Sequence, residues 1–294
     1  MEENKKFPVE CIDENSKEYP VRMKELPHMP KKLYVRGQLP GVGPSIAVVG
    51  ARMCSPYGRL QAFRYGKYFS EAGIQVLSGL AYGIDAEGHR GALEGATPTF
   101  AVMGCGADVC YPARNYPLYQ RILRQGGGIV SEFPPGTQPR NYYFPMRNRI
   151  LSALSDVVLV VEAREKSGSL ITAQYGLEQG RAVYAVPGPV HEGLSQGCHK
   201  LIYDGAGIAY EPEVLLGEWG ISFRDSGKRE EKRKIGLASD MNLVYSCLDL
   251  RPKNLDEIIR ITGFPAEKVS NLLLELKLKG LAEETGRHYY IKRG

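Results

Sequence analysis

The chain has 294 residues, is 43% hydrophobic and carries 38 Lys and Arg against 33 Asp and Glu, a formal net charge of +5. That is enough apolar material for one large core and a second small one; no run of 18 uninterrupted apolar residues marks a membrane helix, and residues 1–6 carry no apolar signal segment. Six scattered cysteines with no Cys-x-x-Cys pair fit free thiols in a reduced cytoplasm and argue against a zinc site or a disulfide frame.

In chain order, residues 1–45 hold Pro8, Pro20, Pro27, Pro30, Pro40 and Pro44. These are too many for continuous regular structure, leaving room for a short helix over 21–26 and a strand over 32–36. Beyond residue 45 the pattern predicts strands over 46–49, 74–77, 99–102, 128–131, 157–161 and 182–186. Between and after them it places helices over 56–71, from about 84 to 93, and over 116–124, 144–156, 169–179 and 195–203. This alternation predicts an α/β fold with a doubly wound, mostly parallel sheet. Residues 217–238 have little apolar content and the run Lys228-Arg-Glu-Glu-Lys-Arg-Lys234, the pattern of a charged linker. From residue 239, Leu243, Val244 and Leu248 mark one helix and Leu255, Ile258 and Ile259 a second. A third runs over 266–279, followed by a hairpin turning at Thr285-Gly286. Three helices and a hairpin in so short a span predict a small winged-helix domain over 239–294, after an N-terminal extension (1–45), a large domain (46–216) and the linker.

In an open parallel sheet, ligands sit beyond the carboxyl ends of the strands, where loops run into helix N-termini. Here those loops carry Gly50-Ala-Arg52, Ser78-Gly79, Gly104-Cys-Gly106 and Ser167-Gly168-Ser169. Glycine lets a backbone approach a ligand closely, and free amides at helix starts suit phosphate. Beside them Arg147, Asn148 and Arg149 stand together where a helical pattern begins, directly after Tyr142, Tyr143 and Phe144, with Arg140 just upstream. No segment is strongly basic, yet within 46–216 twelve of the fifteen cations are Arg, the residue suited to planar, bidentate phosphate recognition and to stacking. Rings beside Arg in a phosphate-lined groove are what sequence-tolerant single-strand binding uses, and at most one of these rings is expected to touch a base.

Other chemistries lack their signatures. There is no Gly-x-Gly-x-x-Gly and no Gly-x-x-x-x-Gly-Lys-Ser/Thr. The five histidines show no metal-binding spacing, and Ser167-Gly-Ser169 is not a nucleophile elbow. Asp85, Glu87 and His89 imitate an acid–base cluster, but the sequence reads more simply as Asp85 capping a helix with the other two in solvent. No catalytic residue, metal or cofactor is expected.

Taken together, the motifs resemble the family of DNA-processing protein A, also called DprA or Smf. They are Tyr19-Pro20, Ile46-Ala-Val-Val-Gly-Ala-Arg52 with Pro56-Tyr-Gly58, Ser78-Gly-Leu-Ala-Tyr-Gly-Ile-Asp85, and Tyr111-Pro with Asn115. Ser131-Glu-Phe-Pro134, Phe144-Pro-Met-Arg-Asn-Arg149, Ser167-Gly-Ser-Leu-Ile-Thr-Ala173, Gly180-Arg181, Ala185-Val-Pro-Gly188, Leu201-Ile and Gly205-Ala206 complete the series in order over about 19–210. The resemblance implies an extended Rossmann-like domain and a cytoplasmic homodimer. It implies a protein that binds and protects incoming single-stranded DNA and loads a RecA-type recombinase on it, beside single-strand-binding protein, in natural transformation and homologous recombination. It also implies DNA contacts at Gly50, Arg52, the 140–149 stretch and Ser167–Ser169. Gly197-Cys-His-Lys200 stands where Gly-Thr-Asn is frequent in the family, with Lys200 a further candidate contact, while the family's helical N-terminal domain is expected to be truncated or absent. The winged helix is nearly neutral, nine cations against eight anions, which speaks against strong duplex reading and makes an interaction role at least as apt.

Two other function classes stand beside this one. A nucleotide-processing enzyme of the related phosphoribohydrolase (lysine-decarboxylase-like) group would carry Pro-Gly-Gly-x-Gly-Thr-x-x-Glu; here Ser167-Gly-Ser-Leu-Ile-Thr172 has no Glu in register. A transcription factor acting through the winged helix would keep all DNA binding within 239–294.

Overall fold

The computed structural model describes residues 7–220, 239–249 and 252–292, in two compact units, residues 1–223 and 224–294. The first is built on a nine-stranded sheet of order β1-β2-β6-β5-β4-β3-β7-β8-β9. The strands are β1 (Val9–Asp13), β2 (Lys32–Gly37), β3 (Ser45–Val49), β4 (Gln75–Ser78), β5 (Thr99–Met103), β6 (Gly128–Ser131), β7 (Val157–Val160), β8 (Ala182–Ala185) and β9 (Gly207–Ile208). From β6 to β9 every neighbouring pair is parallel, while β1 and β2 add an antiparallel edge. The mostly parallel sheet expected from the alternation is present. The expected boundary at residue 45 is not a break in the sheet, because β2 pairs with β6 across it. Strand β1 carries no sequence signal, since at this sheet edge only Ile12 of its five residues is buried and the others are half-buried or exposed.

The apolar strands read as runs because both of their faces are covered. Alternate residues feed opposite cores: Ile46, Val48, Val157 and Leu159 join one, Ala47, Val49, Val158 and Val160 the other. The first core is covered by helices α2 (Pro56–Glu71) and α3 (Ile84–Ala92). Fully buried Tyr65 and Phe69 fill it, each contributing about 2 kcal/mol by burial. These two helices pack backbone to backbone. A Cβ at Gly66 would lie 2.2 Å from the Gly88 carbonyl oxygen, and one at Gly91 2.0 Å from that of Phe63. The second core lies under α5 (Tyr143–Ala153) and α6 (Ser169–Glu178), through Ile150, Leu151 and Ala173. The remaining helices of this unit are α1 (Val21–Lys24), α4 (Tyr116–Arg124), α7 (Gln196–Tyr203) and α8 (Glu213–Leu216).

The second unit has α9 (Ser239–Cys247), α10 (Leu255–Thr262) and α11 (Ala266–Leu278), packed through Val244, Ile258, Leu273 and Leu276. Its three-stranded sheet runs β10-β12-β11, with β10 (Lys253–Asn254), β11 (Ala282–Gly286) and β12 (Tyr289–Lys292). Asn254 caps α10 by accepting from the Glu257 amide at 2.9 Å, and Gly263 ends it at φ 69°. The hairpin turns at Arg287-His288 rather than at the expected Thr285-Gly286. A bulge between Glu284 and Gly286 extends β11, and His288 supplies the positive φ of 65°. The expected linker at 217–238 begins as a short helical turn over Gly217–Trp219, and its part beyond residue 220 lies outside the described residues.

Among the described residues no helix is long and apolar enough to cross a membrane.

Candidate nucleic-acid interface

The chain winds outward from β3 through β4, β5 and β6, then returns to place β7 on the other side of β3. Here the loops after neighbouring strands part and leave a crevice. A cleft of about 420 Å³ opens at this point, lined by Gly50 and Arg52 after β3, Asp85 after β4, Phe144 and Asn148 on α5, and Ser167–Ser169 before α6.

Its floor is Arg147. The residue is only 5% exposed, and its guanidinium donates to the Val102 carbonyl and, through Nε, to Asn148 Oδ1 at 3.2 Å. It lies against Gly79, where a Cβ would come within 2.6 Å of three guanidinium atoms, so only glycine fits. Asp85 is buried beside it, and its carboxylate accepts from the amides of Gly79 at 3.0 Å and Ala81 at 3.4 Å. Burial pushes the Asp85 carboxyl up and the Arg147 guanidinium down, and each charge offsets part of that shift in the other. From the far side Asn115 donates to the carbonyls of Leu80 and Ala81 at 2.9 and 3.3 Å. The loop after β4 is thereby fixed with Leu80 at φ 55°. Asp85 therefore acts inside the first turn of α3, whose N-cap is Gly83, and not as the expected cap. His89 is likewise not in solvent. It is fully buried with Nδ1 2.8 Å from Thr99 Oγ1, and burial lowers its pKa to about 3. Glu87 pairs with Arg90 at 2.6 Å.

One wall is flat and cationic. Phe144 stacks on Tyr111, with ring centroids 5.4 Å apart and planes 29° from parallel, and the Arg52 guanidinium lies 5.3 Å from the Phe144 ring centroid. Arg52 is exposed and has no carboxylate partner among the described residues. The loop carrying it is clasped from below by Glu162, which accepts from the Ser55 amide at 2.9 Å and from its hydroxyl. A Cβ at Gly58 would fall 2.2 Å from this carboxylate. The opposite wall is the start of α6, with Gly168 as N-cap. There the Ser167 and Ser169 hydroxyls lie 2.8 Å apart, and Asn148 donates to the Gly168 carbonyl at 3.3 Å. Of its first amides, Ser169 donates to the Ser167 hydroxyl at 3.4 Å and Leu170 to the Ser167 carbonyl at 3.1 Å, and the positive end of the helix attracts anions.

The thirteen residues singled out from the sequence fall into three groups. Gly50, Arg52, Phe144, Arg147, Asn148 and Ser167–Ser169 line the cleft. Ser78 and Gly79 lie beneath it; the Ser78 hydroxyl is buried and donates to the Val48 carbonyl at 2.6 Å, and Gly79 makes room for Arg147. Arg140, Arg149 and Lys200 lie outside the lining. Successive residues on a helix point about 100° apart, so Arg147, Asn148 and Arg149 cannot all share one wall. Arg149 turns away to Glu132, 2.6 Å from its carboxylate, both side chains being largely buried. The sequence reading missed Tyr111 as a stacking partner, Asp85 and Asn115 as the clamps of the loop after β4, and Glu162 as the clasp under Arg52. Tyr111 and Asn115 were visible only as family landmarks, and Glu162 had no signal beyond its place at the end of a strand.

The family model of DNA recombination-mediator protein A matches residues 10–220, and that of the DprA winged helix domain matches residues 229–286. Protein Smf of Escherichia coli (strain K12) is 37% identical, over 96% of this chain and 77% of its own. The DNA processing protein DprA of Streptococcus pneumoniae (strain ATCC BAA-255 / R6) is 39% identical, over 74% of this chain and 76% of its own. The X-ray structure of DNA processing protein A from Streptococcus pneumoniae superposes with a TM-score of 0.66 at 37% identity, covering 72% of this chain and 74% of that one. DNA processing protein A from Helicobacter pylori, a protein described by its single-stranded DNA binding mode, superposes with a TM-score of 0.64 at 26% identity, covering 72% and 96%. The chain belongs to the DNA recombination-mediator protein A family.

Proposed function

We propose that this family member binds single-stranded DNA in the cleft at the β3–β7 switch point and hands the strand to recombination during natural transformation. The observation that carries the reading is the cleft's composition. An exposed guanidinium with no carboxylate partner and an aromatic ring lie on one wall, with a helix start and two hydroxyls on the other. A ring and a guanidinium plane are both surfaces on which an unpaired base stacks, whatever its identity. The amides and hydroxyls suit a phosphate. A base in a duplex would first have to be unstacked and unpaired, at about a few kcal/mol, which favours single strands. The relatives support the reading through their names, as DNA-processing proteins and, for the Helicobacter pylori structure, by its single-stranded DNA binding mode. The role on this reading is binding: the cleft's buried carboxylate, Asp85, already accepts two amides of the loop after β4.

The test is Phe144→Ala in the full chain, titrated against fluorescent oligothymidine. Losing one stacking surface weakens binding by about 1–3 kcal/mol; a folded variant with wild-type affinity overturns the placement. On the same reading the chain acts as a homodimer that protects the strand and loads a RecA-type recombinase on it, with single-strand-binding protein as a further partner. Sedimentation of the full chain tests the first part, and recombinase filament assembly on coated single strands tests the second.

A further inference from the structure

A second flat, cationic surface lies next to the cleft without being part of it. Tyr142 precedes α5 and is 54% exposed. Its ring meets that of Tyr143 edge-on, with centroids 4.5 Å apart, and Tyr143 is backed in turn by Phe133 at 3.9 Å. Arg140 closes the group, donating to the Tyr142 hydroxyl at 3.0 Å with its guanidinium 5.9 Å from the Tyr143 ring centroid. Arg140 is exposed and has no carboxylate partner among the described residues; its pKa is raised by the two phenols, the Tyr142 hydroxyl first. It shares with Tyr111, Phe144 and Arg52 a guanidinium against an aromatic ring with no carboxylate to neutralise it, although Tyr142 and Tyr143 meet edge-on where Tyr111 and Phe144 stack. The two groups are also continuous. Asn141, which stands between Arg140 and Tyr142 in the chain, lines the cleft together with Phe144, so a strand leaving the Phe144 wall meets the Arg140–Tyr142 group next.

We propose that Tyr142, supported by Tyr143, Phe133 and Arg140, is a second nucleotide subsite, stacking the base adjacent to the one held in the cleft, with Arg140 on the phosphate between them. This rests on the cleft reading and extends it from one nucleotide to two. It also replaces the expectation from sequence that only one ring meets a base. The occupant is fixed by continuity and charge: an exposed ring beside a cation that no carboxylate neutralises, next to a phosphate-binding cleft, suits the next nucleotide of the same strand, whereas an apolar protein segment would leave that charge uncompensated.

The experiment is competition against labelled oligothymidine by four unlabelled ligands: thymidine 5′-monophosphate, the 5′-phosphorylated thymidine dinucleotide, and that dinucleotide made abasic at one sugar or at the other. With the wild-type chain the dinucleotide competes better than the mononucleotide by a factor between about five and one hundred, the worth of one stacked base, and removing either base abolishes most of that gain. In Tyr142→Ala the ratio between dinucleotide and mononucleotide falls toward the value set by the extra phosphate alone, while Tyr142→Phe, which keeps the ring, preserves it. Arg140→Ala lowers the gain of the abasic dinucleotides too, as a phosphate contact must. An undiminished ratio in Tyr142→Ala, or equal competition by abasic and intact dinucleotides, overturns the second subsite while leaving the cleft intact. Failure of every ligand to compete with the wild-type chain overturns the cleft reading and the second subsite with it.

Discussion

Removing Arg52 probes the cleft with little risk to the fold. The side chain is exposed, forms no ion pair among the described residues and touches the ring of Phe144 at 5.3 Å from its centroid. Arg52→Ala therefore removes one cation from the strand's path and one face of the stack. A charge-assisted bond to phosphate is worth about 1.5–3 kcal/mol, and water and salt screen part of it at an open cleft. A net loss of about 2 kcal/mol, or roughly thirty-fold in Kd, is expected. Because one phosphate fewer is neutralised, the slope of log K against log salt falls by about 0.7 for a single strand. Fluorescence anisotropy with oligothymidine at several salt concentrations measures both quantities. A folded Arg52→Ala chain with wild-type affinity and an unchanged salt slope refutes the reasoning.

Other substitutions separate binding from architecture. Arg149→Ala strands the largely buried Glu132 carboxylate; it is expected to lower unfolding free energy by about 3 kcal/mol and, in the folded state, to leave the salt slope unchanged. Denaturant unfolding and the anisotropy series check the two halves. Gly91→Ala drives a methyl to 2.0 Å from the Phe63 carbonyl oxygen between α2 and α3; overpacking of this kind costs about 1–3 kcal/mol, read as a drop in Tm. His89 is buried neutral with its pKa lowered from 6.5 to about 3. The unfolded chain therefore binds the proton that the folded one refuses, and stability falls as pH drops below about 6.5 and continues to fall toward 3. Between pH 7 and pH 5 the loss is about 2 kcal/mol, and His89→Gln flattens that window in pH-dependent unfolding. In the winged-helix unit Lys268 pairs with Asp240 at 2.6 Å and Lys277 with Glu284. Lys268→Ala and Lys277→Ala are expected to leave duplex and single-strand affinity and their salt slopes unchanged.

Much of this molecule was legible because strands buried on both faces write themselves as apolar runs, and Val157–Val160 and Ser45–Val49 are buried along their whole length. The ligand-facing edge of the sheet followed, since glycines and serines gathered at the strand ends, while the position of the switch point came only with the strand order. What stayed hidden depended on contacts between distant residues. The short strand Val9–Asp13 exists because Lys32–Gly37 offers it a partner, and no local pattern announces an edge strand of mixed exposure. Arg147, Asn148 and Arg149 looked alike as a triplet, yet one supports the cleft floor, one faces the opposite wall and one binds Glu132. That difference is set by helical rotation and by carbonyls and carboxylates far away in sequence. His89 looked solvent-borne beside Asp85 and Glu87, and it is buried because α3 turns that face onto the sheet.

The central claim is that the cleft at the β3–β7 switch point selects unpaired DNA. Its most direct test is a titration of the full chain against single-stranded and duplex DNA of equal length at one salt concentration. Tighter binding of the single strand is expected, with the preference reduced in Phe144→Ala and Arg52→Ala. Equal or tighter binding of the duplex, unaffected by either substitution, contradicts it.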